Sequence, residues 1–355
     1  MTGEAADKVL VAMSGGVDSS AAAALLLEEG RDVVGVFMCL SAPGGSAASR
    51  CCSQADAADA ARVAEVLGIE LIRLPVNDAF EEIIANFAAE YARGRTPNPC
   101  IHCNRMIKFG RLFDLARSLG ADCVATGHHA RIGSFGGEPA VMRARDRGKD
   151  QSYALFAVSR DRLGRILLPV GALGGKDEVR AVARRMGLPV YDKPDSQEVC
   201  FVPDGDYAGL LRRRAPQALR AGDVVTREGR VVGRHDGYGR YTIGQRRGLG
   251  VAAGEPRYVT RIDAATATVT IGPREEVMSA HLAASSANWH CDVPDEFEAV
   301  VQIRYNHPGA EGTVRLTGGN TFEVEFRRPV EAVTPGQAAV VYDGERLLGG
   351  GWIDS

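Results

Sequence analysis

The stretch that decides the fold is KVLVAMSGGVDSS, residues 8–20. Apolar residues from Val9 to Met13 read as a buried strand, and two glycines follow. An Ala- and Leu-rich run over 19–29 then has helical character and ends at Gly30, a residue suited to the position just past a helix. Glycines between a strand and a helix let successive backbone N–H groups turn toward one anion, and the helix N-terminus adds partial positive charge. The segment reads as a phosphate cradle, against the plainer alternative of an ordinary Gly-rich turn. It has no lysine in the Walker position, so γ-phosphate transfer of the usual NTPase kind is not indicated. Asp18 within the loop is placed to help hold a magnesium ion on the phosphates.

Outward from this point the same alternation repeats. DVVGVFM (32–38) reads as a strand, 53–67 as a helix stopped by Gly68, and IELIRLPV (69–76) as a strand. Helices are expected over 78–93 and 105–118, and DCVATGHHA (122–130) as a strand running into a loop. Strands separated by helices imply right-handed βαβ units, hence an α/β domain with a doubly wound parallel sheet and ligands at the carboxyl ends of its strands. Beyond about residue 205 the texture changes. AGDVVTREGRVVGRHDG, PRYVTRIDAATATVTIG and GTVRLTGGNTFEVEFRRP are short β-branched alternations broken by Gly, Asp and Asn. They predict antiparallel hairpins and small barrels. Three domains are expected: 1–205, a small central β-rich domain over 206–278, and a C-terminal β-barrel over 279–355.

Length and composition agree. A chain of 355 residues exceeds the usual single domain, and 45% hydrophobic with 25% charged residues is the balance of a globular protein. No apolar run approaches the ~20 residues of a membrane helix, and the first residues carry no secretory pattern. A cytoplasmic location is the expectation, with no membrane partner and a monomeric state. A net charge of −3 argues against a wholly basic nucleic-acid protein and leaves local basic patches open. The clusters Arg212 to Arg214 and Arg246 to Arg247 suit phosphate contacts.

Eight cysteines are scattered through the chain. In a reducing compartment such thiols are free, metal-bound or catalytic. Cys100 and Cys103 stand three apart in TPNPCIHCNRMIKF (96–109), after a proline-stiffened loop. The pair reads as a metal clip, a redox couple or a sulfur-handling site, and adjacent Cys51 and Cys52 add no second pair at zinc spacing. Cys200, read alone, fits the commonest fate of a cysteine, a small buried hydrophobe.

The segments FMCL, GRTPNPCIHCNRMIKFG, ATGHHAR, GKDQSYAL, DSQEVCFVP, YTIGQRRGLGV and PGQAAVVYDGE come after the phosphate cradle in this order over nearly the whole chain. Together they resemble the tRNA-specific 2-thiouridylases, enzymes built on an ATP-pyrophosphatase loop in an adenine-nucleotide-hydrolase-like domain. The resemblance implies ATP and Mg2+ as cofactors, and tRNA and a persulfide sulfur-relay protein as partners. The implied reaction adenylates O2 of the wobble uridine and then transfers sulfur from a cysteine persulfide. It implies catalytic roles for Cys103, as nucleophile, and Cys200, as persulfide carrier, the two alternating between persulfide and disulfide. ATP contacts would come from Ala12, Met13, Ser14, Gly15, Gly16, Val17, Asp18, Ser19, Met38 and Gly127. Asn98, Pro99 and Cys100 would line the target base, with His128, Lys149, Asp150, Gln151, Arg304, Tyr305 and Gln337 on the tRNA. At Cys100 the best-known branch of the family has an Asp, so the acid/base assignment is open. Related thiolases with three active-site cysteines suggest an alternative: Cys100, Cys103 and Cys200 as ligands of an iron–sulfur cluster. Another adenylating enzyme of the same loop class lacks its expected ammonia source here. A zinc-clipped RNA-binding protein without catalysis leaves the phosphate cradle unexplained.

Overall fold

The computed structural model describes residues 7–40, 54–194, 199–202, 205–251 and 255–355. The chain forms two compact units, neither of them continuous: 1–81, 100–203 and 345–347 in the first, 82–99, 204–344 and 348–355 in the second.

In the first unit, β1 (Lys8–Ala12) leads into α1 (Val17–Glu28), followed by β2 (Asp32–Cys39), α2 (Gln54–Leu67), β3 (Leu71–Pro75) and the start of α3 (Asn77–Ala92). After the loop come α4 (Pro99–Cys103), a π-helix (Asn104–Arg111), α5 (Leu112–Ser118) and β4 (Cys123–Thr126). A hairpin of β5 (Ala130–Phe135) and β6 (Glu138–Arg143) turns through Gly136 and Gly137, both at positive φ, and β7 (Ile166–Leu167) and α6 (Lys176–Arg185) complete the unit. The sheet order is β3-β2-β1-β4-β7, every pairing parallel. Val9 and Val11 face a core shared with the alanines 21–24 of α1, Ala60 and Val63 of α2 and Val179 of α6. Leu10, fully buried, points to the opposite face, and α5 packs on β1 and β4. Burial on both faces is why the strand reads as a continuous apolar run. The strand order reverses between β1 and β4, so the loops after these two strands flank the crevice where such sheets bind ligands.

Two expectations need correction here. The helix expected over 105–118 is interrupted, its first part being π-helical, and the β5–β6 hairpin was not foreseen.

The second unit begins with the end of α3, whose Ala88 and Tyr91 join a core with Leu211 of α7 (Tyr207–Arg214). That core lies under a four-stranded sheet of β8 (Gly222–Val225), β9 (Val231–His235), β10 (Tyr258–Asp263) and β11 (Thr268–Gly272), in the order β10-β11-β8-β9. Tyr238 Oη donates to the Ala92 carbonyl at 2.7 Å and so closes the end of α3. The last strands are β12 (Met278–Trp289), β13 (Glu296–Gln302), β14 (Ala310–Gly318), β15 (Thr321–Glu331), β16 (Ala338–Asp343) and β17 (Arg346–Ile353). They run β12-β15-β14-β13-β16-β17, and β12 pairs back to β17, which closes a barrel and leaves no free edge. In β15, Phe322, Val324 and Phe326 point inward and alternate with exposed residues, the period of a strand with one face in the core.

Candidate active site

The cradle forms because its side chains bond back to the loop. Ser19 Oγ accepts from Ser14 N at 3.1 Å and donates to the Gly16 carbonyl at 3.1 Å, while Ser20 Oγ donates to the same carbonyl at 2.8 Å. Gly16 caps α1 without a side chain, so no side-chain oxygen covers its first amides. Gly15 lies at φ +74°, and a Cβ there would stand 2.4 Å from the Asp56 carbonyl oxygen. At Gly127, just past β4, a Cβ would stand 2.5 Å from Ser19 N, so backbone packs directly on the first turn of α1. Ala12, Met13 and Val17 are buried, which leaves their backbone as what a nucleotide can meet. Met38 is half-buried near the end of β2.

Three side chains come to this loop from elsewhere in the chain. Lys176, at the start of α6, donates to both carboxylate oxygens of Asp18 at 2.8 and 2.9 Å, and His129 Nε2 lies 3.2 Å from Asp18 Oδ1. Burial pushes the Asp18 carboxyl up, but the bonds from His129 and Lys176 outweigh it and hold the group below its ordinary value. Lys193 donates to the Gly15 carbonyl at 2.9 Å, to Asp56 at 2.7 Å and to Asp59 at 2.6 Å, tying α2 to the loop. Motif reading missed Lys176 and Lys193, because a loop lysine was sought within the loop and both lie more than 150 residues away.

Cys100 and Cys103 lie on α4, with Cys103 capping the π-helix. Cys100 and Cys200 are exposed and Cys103 is half-buried. Surrounding protein pushes the Cys100 thiol up, Lys108 partly opposes this, and neighbouring Cys200 adds to it. Cys100 and Cys200, distant in sequence, are therefore within electrostatic reach of each other. His128 is buried, with Nδ1 2.7 Å from Thr126 Oγ1 and Nε2 3.4 Å from Lys108 Nζ. Burial, with Lys108 and His129 adding, holds it well below the ordinary imidazole range. In the neutral ring that burial favours, a donating Lys108 makes Nε2 the acceptor and leaves Nδ1–H to donate to Thr126 Oγ1. The turn after β4 thus reaches the cradle through Gly127 and His129, and Lys108 through His128.

The remaining expected residues divide between the units. Asp150 accepts from Arg143 at 3.0 Å, Ala144 N at 2.8 Å and Ser152 Oγ at 2.9 Å, so its carboxylate braces its own turn. Gln151 Oε1 accepts from His129 N at 2.9 Å, and Lys149 ends a short 3-10 turn beside them. In the second unit, Arg304 donates to the Glu331 carbonyl at 2.9 Å, Tyr305 is exposed, and Gln337 Nε2 donates to the Thr96 carbonyl at 2.8 Å. Asn98 is half-buried and Pro99 buried. Among the described residues, no group of three or more His, Cys, Asp or Glu stands together to hold a metal ion. The three-thiol cluster set is therefore not assembled here, and no step is derived through a cluster. Magnesium is different, because it takes most of its ligands from phosphates and water and needs only one or two carboxylates, a demand Asp18 can meet.

A parallel sheet with an uncapped Gly-rich cradle at its switch point defines a nucleotide-binding α/β enzyme of the HUP class, here carrying thiols. Residues 7–204 match the tRNA methyl transferase HUP domain, 209–273 the tRNA methyl transferase PRC-barrel domain and 279–353 the aminomethyltransferase beta-barrel domain. A tRNA-specific 2-thiouridylase MnmA of Geobacter metallireducens is 47% identical over 100% of this chain and 99% of its own length. One of Carboxydothermus hydrogenoformans is 49% identical over 98% and 97%, and one of Paramagnetospirillum magneticum 45% over 98% and 95%. The chain belongs to the tRNA-specific 2-thiouridylase family.

Proposed function

We propose that this chain is a tRNA-uridine 2-sulfurtransferase acting on the wobble uridine with ATP. The observation that carries this reading is full-length identity to 2-thiouridylases in a chain whose cradle lacks a Walker lysine but gathers Asp18, Lys176 and His129. Uracil O2 attacks the α-phosphorus of ATP, pyrophosphate leaves, and C2 then carries an AMP leaving group. The cradle amides and Lys176 meet the phosphates, and Asp18 supplies a carboxylate to magnesium. The terminal sulfur of a Cys200 persulfide, delivered by a relay protein, attacks C2, and AMP departs with the original oxygen. Cys103 thiolate then attacks the Cys200 sulfur, the S–S bond to the base breaks, and the 2-thiocarbonyl is left with a Cys103–Cys200 disulfide. An external dithiol reduces that disulfide. Lys149, Asp150, Gln151, Arg304, Tyr305 and the β-rich unit serve tRNA docking, and the setting is the cytoplasm. Among the described residues no helix is long and apolar enough to cross a membrane.

A second reading, an iron–sulfur cluster on Cys100, Cys103 and Cys200, draws on the electrostatic influence of Cys200 on Cys100 and requires the three thiols, not gathered in this structure, to close on one another. Iron analysis of anaerobically purified protein separates the two. The persulfide route predicts full thiolation with negligible iron, whereas about four irons per chain, lost together with activity in Cys100→Ala, would establish the cluster.

A further inference from the structure

The loop that leads to the thiols is fastened to the C-terminal barrel, within the second unit. Thr96 N donates to the Pro335 carbonyl at 2.9 Å, and Gln337 Nε2 returns a bond to the Thr96 carbonyl at 2.8 Å, so both polar backbone groups of Thr96 are held by one turn. Between them sits Gly336 at φ +90°, where a Cβ would lie 3.0 Å from the Thr96 oxygen and 3.1 Å from its carbonyl carbon and nitrogen. Only glycine lets the two backbones approach this closely. Arg95 adds a bond from Nη2 to the Ile353 carbonyl at 3.0 Å and an ion pair with Glu90 at 2.7 Å. The turn is itself latched to β17, with Gly336 N donating to the Ile353 carbonyl at 2.9 Å and Ile353 N to the Gln337 carbonyl at 2.8 Å.

The segment after Thr96 is stiff. Pro97 and Pro99 each have φ fixed by their rings, and Thr96 and Asn98, each preceding a proline, are restricted to extended conformations. Pro99 is also the first residue of α4, where a proline's missing N–H is no loss. Thr96 to Pro99 is thus a short rod with its near end bonded to the barrel and its far end continuing into Cys100.

We propose that Gln337 is a positioning residue for thiolation: its amide, with Gly336, fixes the start of the Pro97–Pro99 rod and so sets the placement of the helix bearing Cys100 and Cys103. This rests on the thiolation reading and gives Gln337 a role other than gripping RNA.

The test compares Gln337→Leu and Gly336→Ala with the unaltered protein, which must first thiolate tRNA in the same assay. Three quantities are read: kcat at saturating tRNA, Kd for tRNA, and alkylation rate at each cysteine by peptide mass spectrometry. Misplacing a reacting group by a fraction of its working distance lowers turnover roughly tenfold to a hundredfold. The expected result is a kcat loss of that order, a Kd within about twofold of the unaltered protein, and changed alkylation of Cys100 and Cys103 while barrel-core Cys291 stays protected. Gln337→Glu, of the same length but without the donor, should not restore kcat. Weakened tRNA binding with kcat intact at saturation would overturn the proposal in favour of an RNA contact, and unchanged values throughout would overturn it outright. Should Cys291 become reactive in Gln337→Leu, the length-matched Gln337→Met replaces it, with the same two overturning results.

Discussion

Replacing Asp18 by Asn leaves Lys176, only 13% exposed, facing an uncharged partner. Losing a charge-assisted bond at a partly buried site costs about 1–2 kcal/mol, and pyrophosphate release should fall at least tenfold. The pH dependence has a definite sign. Because the folded carboxyl titrates below its ordinary value of 3.8, its stabilising contribution is fully present above that pH and is lost as pH falls through the depressed folded value. Denaturation midpoints of the two proteins should therefore differ by a constant amount near neutrality and converge below pH 3.8. A gap that does not begin to narrow as pH falls below 3.8 would mean Asp18 stabilises through shape and not charge. At this scale the sequence was legible where chemistry is local: Ser14 to Ser19 follow from the glycine pattern and the helix start. Lys176 and Lys193 were not, since only the sheet's topology brings them to the loop. His128, expected on tRNA, is buried with Thr126 and Lys108 as partners, and neither partner is announced by a local pattern.

The π-helix over Asn104–Arg111 is the element on which the thiol site most depends. Its turns close on the residue five along, not four, and it carries Lys108, which lies 3.4 Å from His128 and acts on the Cys100 thiol; such turns recur at functional sites. A helical period could be read over 105–118, but the wider turn could not. It is set by contacts from far along the chain: Asn104 Nδ2 donates to the Ala154 carbonyl at 2.9 Å, and Arg162 donates to that of Phe109. The β5–β6 hairpin, by contrast, carried its signal in plain view, two glycines between alternating runs. Gly110 offers a test of the π-helix. A Cβ there would meet the Arg105 carbonyl oxygen at 2.9 Å. Gly110→Ala should cost about 1–2 kcal/mol of stability and alter the alkylation rate of Cys103 while Cys123, in the sheet, keeps its own. Unchanged Cys103 reactivity would mean that the wide turn does not govern the thiol.

At the scale of the molecule, the texture change near residue 205 marked the β-rich half, whereas the membership of 82–99 in the second unit was hidden. Nothing in the amphipathic pattern of α3 shows that its two ends belong to different units, or that Ala88 and Tyr91 join the core of the second. If the barrel serves RNA docking, Arg304→Ala with Tyr305→Ala should weaken tRNA binding about tenfold to a hundredfold, from one lost phosphate or base contact each. ATP affinity should not change, because the cradle is built wholly in the first unit. The altered protein should also show a shallower fall of tRNA affinity with salt, since fewer counterions are released. Unchanged RNA affinity would remove the barrel loop from the docking surface. The central claim is that ATP is split to activate O2 of a tRNA uridine for replacement by sulfur. It is tested most directly by incubating the protein with ATP, a persulfide donor and tRNA carrying a wobble uridine, then measuring nucleosides and nucleotides together by mass spectrometry. The prediction is one AMP and one pyrophosphate for each 2-thiouridine formed; ADP and phosphate in their place, or AMP without 2-thiouridine, would contradict it.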